Sequence, residues 1–413
     1  MVADIRELVD IESPSDNKAA VDRLGAVVAS KFAAIGGLVR FHPVGDFGNH
    51  LQVDFAGQQS IADVQSPASG VKARHPKTEN PAALKGRATQ DQTSPSTQNS
   101  SLVEGSKDST KPVLLLGHYD TVYPMGTLAA MPCQTVDGKL TGPGVLDMKS
   151  GIGLMLHTLA ALRDWHGGLP RPVTLLLVSD EEVGSESSRA ITESLAKKAA
   201  AVLVLEPAYG LEGKVKTARK GVGEYEVKVT GKASHAGLDF QKGTNAIVEL
   251  ARQIEKISSF TDLKKGLTVN VGVVRGGSRT NVVPAEALAK VDVRIGRTKD
   301  APGIDRKMRA LRPFNRKCNV EVSGGVNRPP MERAAGIVAL YEIAVEIARG
   351  LGRKLGEAAV GGGSDGNFTA HLGIPTLDGL GGVGDGAHAA HEHIVISELP
   401  RRAALLAGLI ERV

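Results

Sequence analysis

Three short runs in this chain are almost wholly apolar: Val113-Leu114-Leu115-Leu116, Val173-Thr174-Leu175-Leu176-Leu177-Val178 and Val202-Leu203-Val204-Leu205. Strands without polar alternation are buried on both faces. Helical patterns lie between them, so the spacing predicts an open α/β sheet covered on each side. In such sheets ligands bind beyond the carboxyl ends of the strands. Each run ends in ionisable groups. His118 and Asp120 follow the first, in Gly117-His118-Tyr119-Asp120-Thr121. Asp180, Glu181 and Glu182 follow the second, and Glu206 follows the third.

The 413 residues are enough for two or three domains at roughly 150 residues each. Near the start, Val21, Leu24, Val28, Phe32 and Ile35 recur at helical spacing and Gly36-Gly37 closes the pattern. Two short strands are expected near 38–44 and 50–55. Residues 57–110 are rich in Ser, Gln, Thr, Pro, Ala and Gly with little apolar periodicity, and read as a mobile surface insertion. Helices are expected near 148–164 and between the second and third apolar strands. From Gly221 the pattern alternates, as in Tyr225, Val227 and Val229. A β-α-β-β-α-β order follows, which indicates a ferredoxin-like α+β module. After Pro329-Pro330 the α/β pattern resumes with a helix at 335–349. The chain therefore divides into 1–220, an inserted 221–328 and 329–413, the outer two parts forming one domain.

Composition narrows the chemistry. The only cysteines are Cys133 and Cys318, too few for a disulfide framework or a thiolate site, so any metal is held by nitrogen and oxygen. The net charge of +5 is mixed along the chain and aromatics make up 3%, which argues against nucleic-acid binding. No apolar run approaches the roughly 18 residues of a membrane span. The start lacks a basic and apolar leader pattern, which fits a cytoplasmic chain.

Two further segments carry ionisable groups. Asp147 lies in Gly142-Pro143-Gly144-Val145-Leu146-Asp147-Met148-Lys149, at the start of a helix. His388 lies in Gly386-Ala387-His388-Ala389-Ala390-His391-Glu392. Taken singly, each group has an ordinary reading as a turn residue, a solvated acid or a helix cap. His391 and His393 read as surface residues. Gathered at one rim, the carboxylates would repel one another and protonate without a cation among them. A pair of divalent metals removes that conflict.

These segments together resemble the dinuclear zinc metallopeptidases of the carboxypeptidase G, acetylornithine deacetylase and aminoacylase group. The likeness extends to Gly231-Lys232-Ala233-Ser234-His235-Ala236-Gly237, Asn281-Val282-Val283-Pro284 and Gly361-Gly362-Gly363-Ser364-Asp365-Gly366. It spans the chain except 57–110. It implies a three-layer catalytic domain carrying the ferredoxin-like module as a lid and dimerisation domain. It also implies two zinc ions per chain, replaceable by cobalt or manganese. His118 would hold one with Glu182, His388 the other with Glu206, and Asp147 would bridge them. Asp120 would orient the His118 imidazole, and the peptide after Asp147 would be cis. Glu181 would be the general base, taking a proton from the attacking water. His235 would stabilise an oxyanion in the partner subunit of a homodimer.

Substrate contacts are less fixed by pattern. Arg294 is a candidate carboxylate clamp, with Asn281 on the same module. Gly363 and Ser364 could present backbone N–H groups to a carboxylate. Lys214 falls where carboxypeptidase G relatives place a carboxylate-binding lysine. The leading expectation is an exopeptidase that releases a C-terminal residue, with glutamate one candidate. The alternative is an N-acyl amino acid deacylase. A non-catalytic binding protein would have lost a ligand or the base, and neither is missing. The glycine-rich stretches lack the Lys of a nucleotide P-loop.

Overall fold

The computed structural model describes residues 1–58 and 110–413, so nearly all of the polar 57–110 segment lies outside the described residues. Helix α1 (Val2–Val9) buries Ile5, Leu8 and Val9. It is too short for its periodicity to announce it. Helix α2 (Lys18–Ala34) starts where the Asn17 side chain accepts the Ala20 N–H, and it buries Val21, Leu24, Val28 and Phe32. It stops before Gly36, whose φ of 93° breaks the helical path.

Strands β1 (Leu38–His42), β2 (His50–Phe55) and β3 (Val113–His118) are followed by the small strands β4 (Gln134–Val136) and β5 (Lys139–Thr141). Helix α3 (Ser150–His166), β6 (Val173–Val178), α4 (Arg189–Ala196) and β7 (Ala201–Val204) come next. With the late β-strand Thr376–Leu377 they build a six-stranded sheet in the order β1, β2, β6, β3, β7 and that last strand. β3 pairs in parallel with β6 and β7, placing Leu115 beside Leu175 and Leu203. The full burial of these strands explains their unbroken apolar sequence.

One sheet face packs Leu115, Leu175 and Leu203 against Val28 and Phe32 of α2 and Met155 and Leu159 of α3. The other packs Leu114, Leu116, Leu176 and Val204 against Ile191, Leu195 and Ala196 of α4. This is a three-layer α/β/α arrangement, each fully buried aliphatic side chain contributing roughly 1.5–3 kcal/mol. Among the described residues, one helical stretch, Val145–His166, is long and apolar enough to cross a membrane. It is 78% buried within this core.

Strand β8 (Val215–Arg219) leads into β9 (Gly221–Thr230), α5 (Ala246–Ser258), β10 (Thr268–Gly276), β11 (Glu286–Ile295), α6 (Ala301–Arg309) and β12 (Asn319–Arg328). The four long strands form an antiparallel sheet in the order β10, β11, β9, β12. Its inner face, with Tyr225, Val227, Val291 and Val293, packs on Leu250 and Ile257 of α5 and Ile304 and Met308 of α6. That is the ferredoxin-like module. The chain then returns through α7 (Ala335–Gly350), β13 (Glu357–Val360) beside β8, α8 (Gly366–His371) and β14 (Thr376–Leu377), the sixth strand of the large sheet. β15 (Gly384–Asp385) and β16 (His393–Val395) join β5 and β4 in a small sheet before α9 (Leu399–Arg412).

Candidate metal centre

His118 ends β3 and is 1% exposed. Its Nε2 lies 3.1 Å from Oδ1 of Asp147 and 3.4 Å from Oε1 of Glu206. Its Nδ1 faces Asp120, 3.0 Å from the backbone oxygen and 3.4 Å from Oδ1. The Asp120 carboxylate also accepts the N–H groups of Glu181 and Glu182 at 3.3 and 3.2 Å and the Ser15 hydroxyl at 2.7 Å. One buried acid thus aligns the first imidazole with the turn that carries the two glutamates.

His388 reaches the same point from the C-terminal segment. Its Nε2 is 3.4 Å from Oδ2 of Asp147 and 3.2 Å from Oε1 of Glu182. Its φ of 62° is a backbone state that residues other than glycine rarely take, and such states cluster at functional sites. The Asp147–Met148 peptide is cis. The five expected ligands therefore converge, with one imidazole on each oxygen of Asp147.

The pairing differs from the expected one. His118 lies beside Glu206, and His388 beside Glu182. Distance past the strand end explains this. Glu206 follows almost directly on β7, which is hydrogen-bonded to β3. Glu182 lies beyond the end of β6 on the 3-10 turn Glu181–Val183. That turn carries it outward to His388, whose side chain is 47% exposed.

The electrostatics are those of a site that stores positive charge. Burial would depress the His118 imidazole, but Asp120, Asp147 and Glu206 hold its pKa well above the ordinary value. Hydrogen bonds to Asp147 and Glu182 push His388 up to about 10. Burial would raise Asp147, but contacts with both imidazoles hold it well below the usual carboxylate range. Burial raises Glu182, with the His388 contact opposing. Burial also raises Glu181 strongly, and Arg328 opposes it. A cluster so rich in carboxylates favours positive charge among them. Ligand atoms of His118, Glu181 and Glu206, and of His118, Asp147 and Glu182, lie within 4.8 Å of one another. The donors are nitrogen and oxygen only, which fits divalent zinc, cobalt or manganese.

Other expected residues are not drawn into this cluster. Among the described residues no hydrogen bond or ion pair joins His235, Asn281, Arg294 or Lys214 to it. His235 is exposed, and its Nδ1 accepts the Gly237 and Leu238 N–H groups at 3.1 and 3.0 Å. Asn281 is exposed beside it, its carbonyl accepting the Ala236 N–H. Arg294 pairs with Asp292 on its own strand at 2.8 Å, because residues two apart share a sheet face. Lys214 is half-exposed, with Glu212 3.9 Å away. Ser364 is fully buried. Its hydroxyl donates to Asp378 at 2.6 Å and its N–H to Asn367 at 3.0 Å. Neither group is free for a substrate. The Gly363 carbonyl accepts from Arg219 at 3.0 Å. His393, expected at the surface, is 9% exposed within the small sheet.

Three residues passed over in the sequence border the site. Arg328 donates to the Glu181 carboxylate at 2.9 Å. Arg219 makes a two-pronged contact with Asp378 at 2.8 Å and lies 3.6 Å from Glu206. Glu392 accepts backbone N–H groups from the turn that carries Asp147. The signal for Arg328 was its place directly before Pro329-Pro330, where the module rejoins the α/β pattern.

A model of peptidase family M20/M25/M40 matches residues 114–412. Carboxypeptidase G2 of Pseudomonas sp. (strain RS-16) is 34% identical over 304 residues, 73% of each chain. Acetylornithine deacetylase of Myxococcus xanthus is 32% identical over 195 residues, 44% of this chain and 49% of that one. Among solved structures, an M20 family metallo-carboxypeptidase, Sso-CP2 from Sulfolobus solfataricus, superposes with a TM-score of 0.70. Its sequence identity is 16%, over 98% of this chain and 97% of that one.

Proposed function

Since the chain belongs to peptidase family M20/M25/M40 and is a metal-dependent hydrolase, we propose that it is a two-zinc carboxypeptidase. It would cleave an amide bond next to a free C-terminal carboxylate. The observation that carries this reading is the placement of Glu181. Its carboxylate lies beside the five-ligand cluster and is paired with a buried guanidinium, Arg328. His118 and Glu206 would hold one cation and His388 and Glu182 the other, with Asp147 shared between them. Cations held there would polarise the scissile carbonyl and lower the pKa of water.

The chain's own groups would handle the proton. Glu181 would take it from the attacking water and pass it to the leaving nitrogen. Asp120 would keep the His118 ring turned so that Nε2 faces Asp147. Arg328 is a second candidate for the substrate carboxylate beside Arg294, although it already pairs with Glu181 and Asp365. Its guanidinium is buried, and its Nε has no partner among the described residues. Such an unpaired donor favours an incoming anion. Gly362 borders Arg219 and Gly363 borders Arg328, so their N–H groups remain candidates for the same end of the substrate. His235 and Asn281 would serve the second subunit's site in a homodimer formed through the ferredoxin-like module.

The second reading, an N-acyl amino acid deacylase, is favoured by the likeness to acetylornithine deacetylase. Both readings place a free carboxylate beside the scissile amide. Hydrolysis of short peptides with and without a terminal glutamate, compared with N-acyl amino acids, separates them. The carboxypeptidase reading expects the higher kcat/KM on peptides. Preference for acetylated amino acids would favour the deacylase.

A further inference from the structure

We propose that Glu392 is a positioning residue for the metal centre, fastening the turn that carries Asp147 to the segment that carries His388. The inference rests on the two-metal reading above and concerns a side chain that touches neither imidazole. Glu392 is 0% exposed. Its Oε1 accepts the N–H of Leu146 at 2.7 Å and the N–H of Asp147 at 2.9 Å. Its Oε2 accepts the N–H of Gly144 at 3.0 Å and the Tyr123 hydroxyl at 2.6 Å. Four donors converge on one carboxylate. Among the described residues it has no ion-pair partner.

A buried carboxylate is costly unless its lone pairs are filled, and here backbone N–H groups fill them. The arrangement needs a group that only accepts. An amide of the same shape would turn an N–H toward donors on at least one side. An apolar side chain would leave three buried N–H groups without partners.

The bonds also have a direction. One ends on the N–H of Asp147 itself, whose carboxylate faces both imidazoles. Glu392 lies a single turn of chain beyond His388, and that turn is closed by its own N–H on the Ala389 carbonyl at 3.0 Å. The Gly142 N–H returns to the Glu392 carbonyl at 3.4 Å. Tyr123 lies 3.1 Å from the Ala389 carbonyl as well. Two of the five ligands come from segments far apart in the chain, and Glu392 fixes the distance between them. Partners of this kind commonly change metal affinity by about 10–100-fold when lost.

The test uses the full-length protein, stripped with a chelator and titrated with Zn²⁺ in competition with a chromophoric indicator. A parallel titration with Co²⁺ follows the visible spectrum, which reports ligand geometry. Glu392→Gln is expected to bind at least one ion about tenfold or more weakly and to shift the cobalt bands. Glu249→Gln is the control. Glu249 is likewise buried and accepts the N–H groups of Phe314 and Asn315, both at 2.9 Å, but within the ferredoxin-like module. It is expected to lower thermal stability while leaving metal affinity and spectrum unchanged.

Should Glu392→Gln fail to fold, Tyr123→Phe removes one donor and is expected to weaken binding roughly tenfold, as for one hydrogen bond to a charged group. Wild-type affinity and spectrum in the folded Glu392→Gln protein would overturn the proposal while leaving the two-metal reading intact. The same outcome in Tyr123→Phe would overturn it if Glu392→Gln does not fold. A wild-type protein that binds no ion at all would instead remove the reading on which the proposal rests.

Discussion

Nη2 of Arg328 lies 2.9 Å from Oε1 of Glu181, so the candidate base is paired with a guanidinium that arrives from the end of the inserted module. Burial raises the Glu181 pKa and Arg328 opposes that rise. A general base works only when ionised, so activity should climb as pH rises through the Glu181 pKa. Removing the guanidinium favours the neutral acid. Arg328→Met is therefore expected to move the acid limb of the kcat/KM profile to higher pH and to raise KM. An unmoved acid limb would separate Arg328 from the base.

Glu181→Gln keeps the shape of the side chain and removes its basicity. The expected result is a fall in kcat of about 10²–10⁴-fold, with metal content unchanged. Atomic emission on the purified variant measures the second point. Loss of an ion would show that Glu181 is a ligand.

Metal binding should release protons. Contacts with Asp147 and Glu182 push His388 up to about 10, and Asp120, Asp147 and Glu206 hold His118 well above its usual value, so without a cation both imidazoles favour the charged form. A metal needs them neutral, so binding should expel about two protons near pH 7 and tighten as pH rises. Calorimetry in buffers of different ionisation enthalpy counts them. The converse holds for the metal-free fold. The imidazolium contacts stabilise it fully below the unfolded histidine pKa of about 6.5. For His388 that contribution is lost as pH rises through about 10. A chelated protein whose melting temperature did not fall over that window would contradict this assignment.

His235 is exposed and joined by no hydrogen bond or ion pair to the cluster of its own chain among the described residues. If it serves a partner subunit, mixing His235→Ala with Glu181→Ala chains should restore measurable turnover, because one hybrid site keeps both residues. Mixed dimers without activity would place its role within the chain or outside catalysis.

The strand ends were readable because burial on both faces leaves an unmistakable apolar run. His118, Glu182 and Glu206 follow such runs. Asp147 and His388 were recognised through the family resemblance of the segments that carry them. The ferredoxin-like module was readable from the change to alternation at Tyr225, Val227 and Val229. What stayed hidden depends on partners distant in the chain. Arg328 meets Glu181, Arg219 meets Asp378, and Glu392 meets the Gly144–Asp147 turn. Nothing local marks an arginine or glutamate as buried. Arg294 and Ser364 likewise meet partners the sequence did not show, Asp292 and Asp378. The His118 and His388 partners depend on how far each acid lies past its strand, which turn geometry decides.

The most direct test of the whole account is anomalous diffraction at the zinc edge, from crystals of protein purified without chelator. Two peaks per chain are predicted, one between His118 and Glu206 and one between His388 and Glu182, with Asp147 reaching both. Crystals with no peak among these five residues, or with His388 turned away from Asp147, would contradict it.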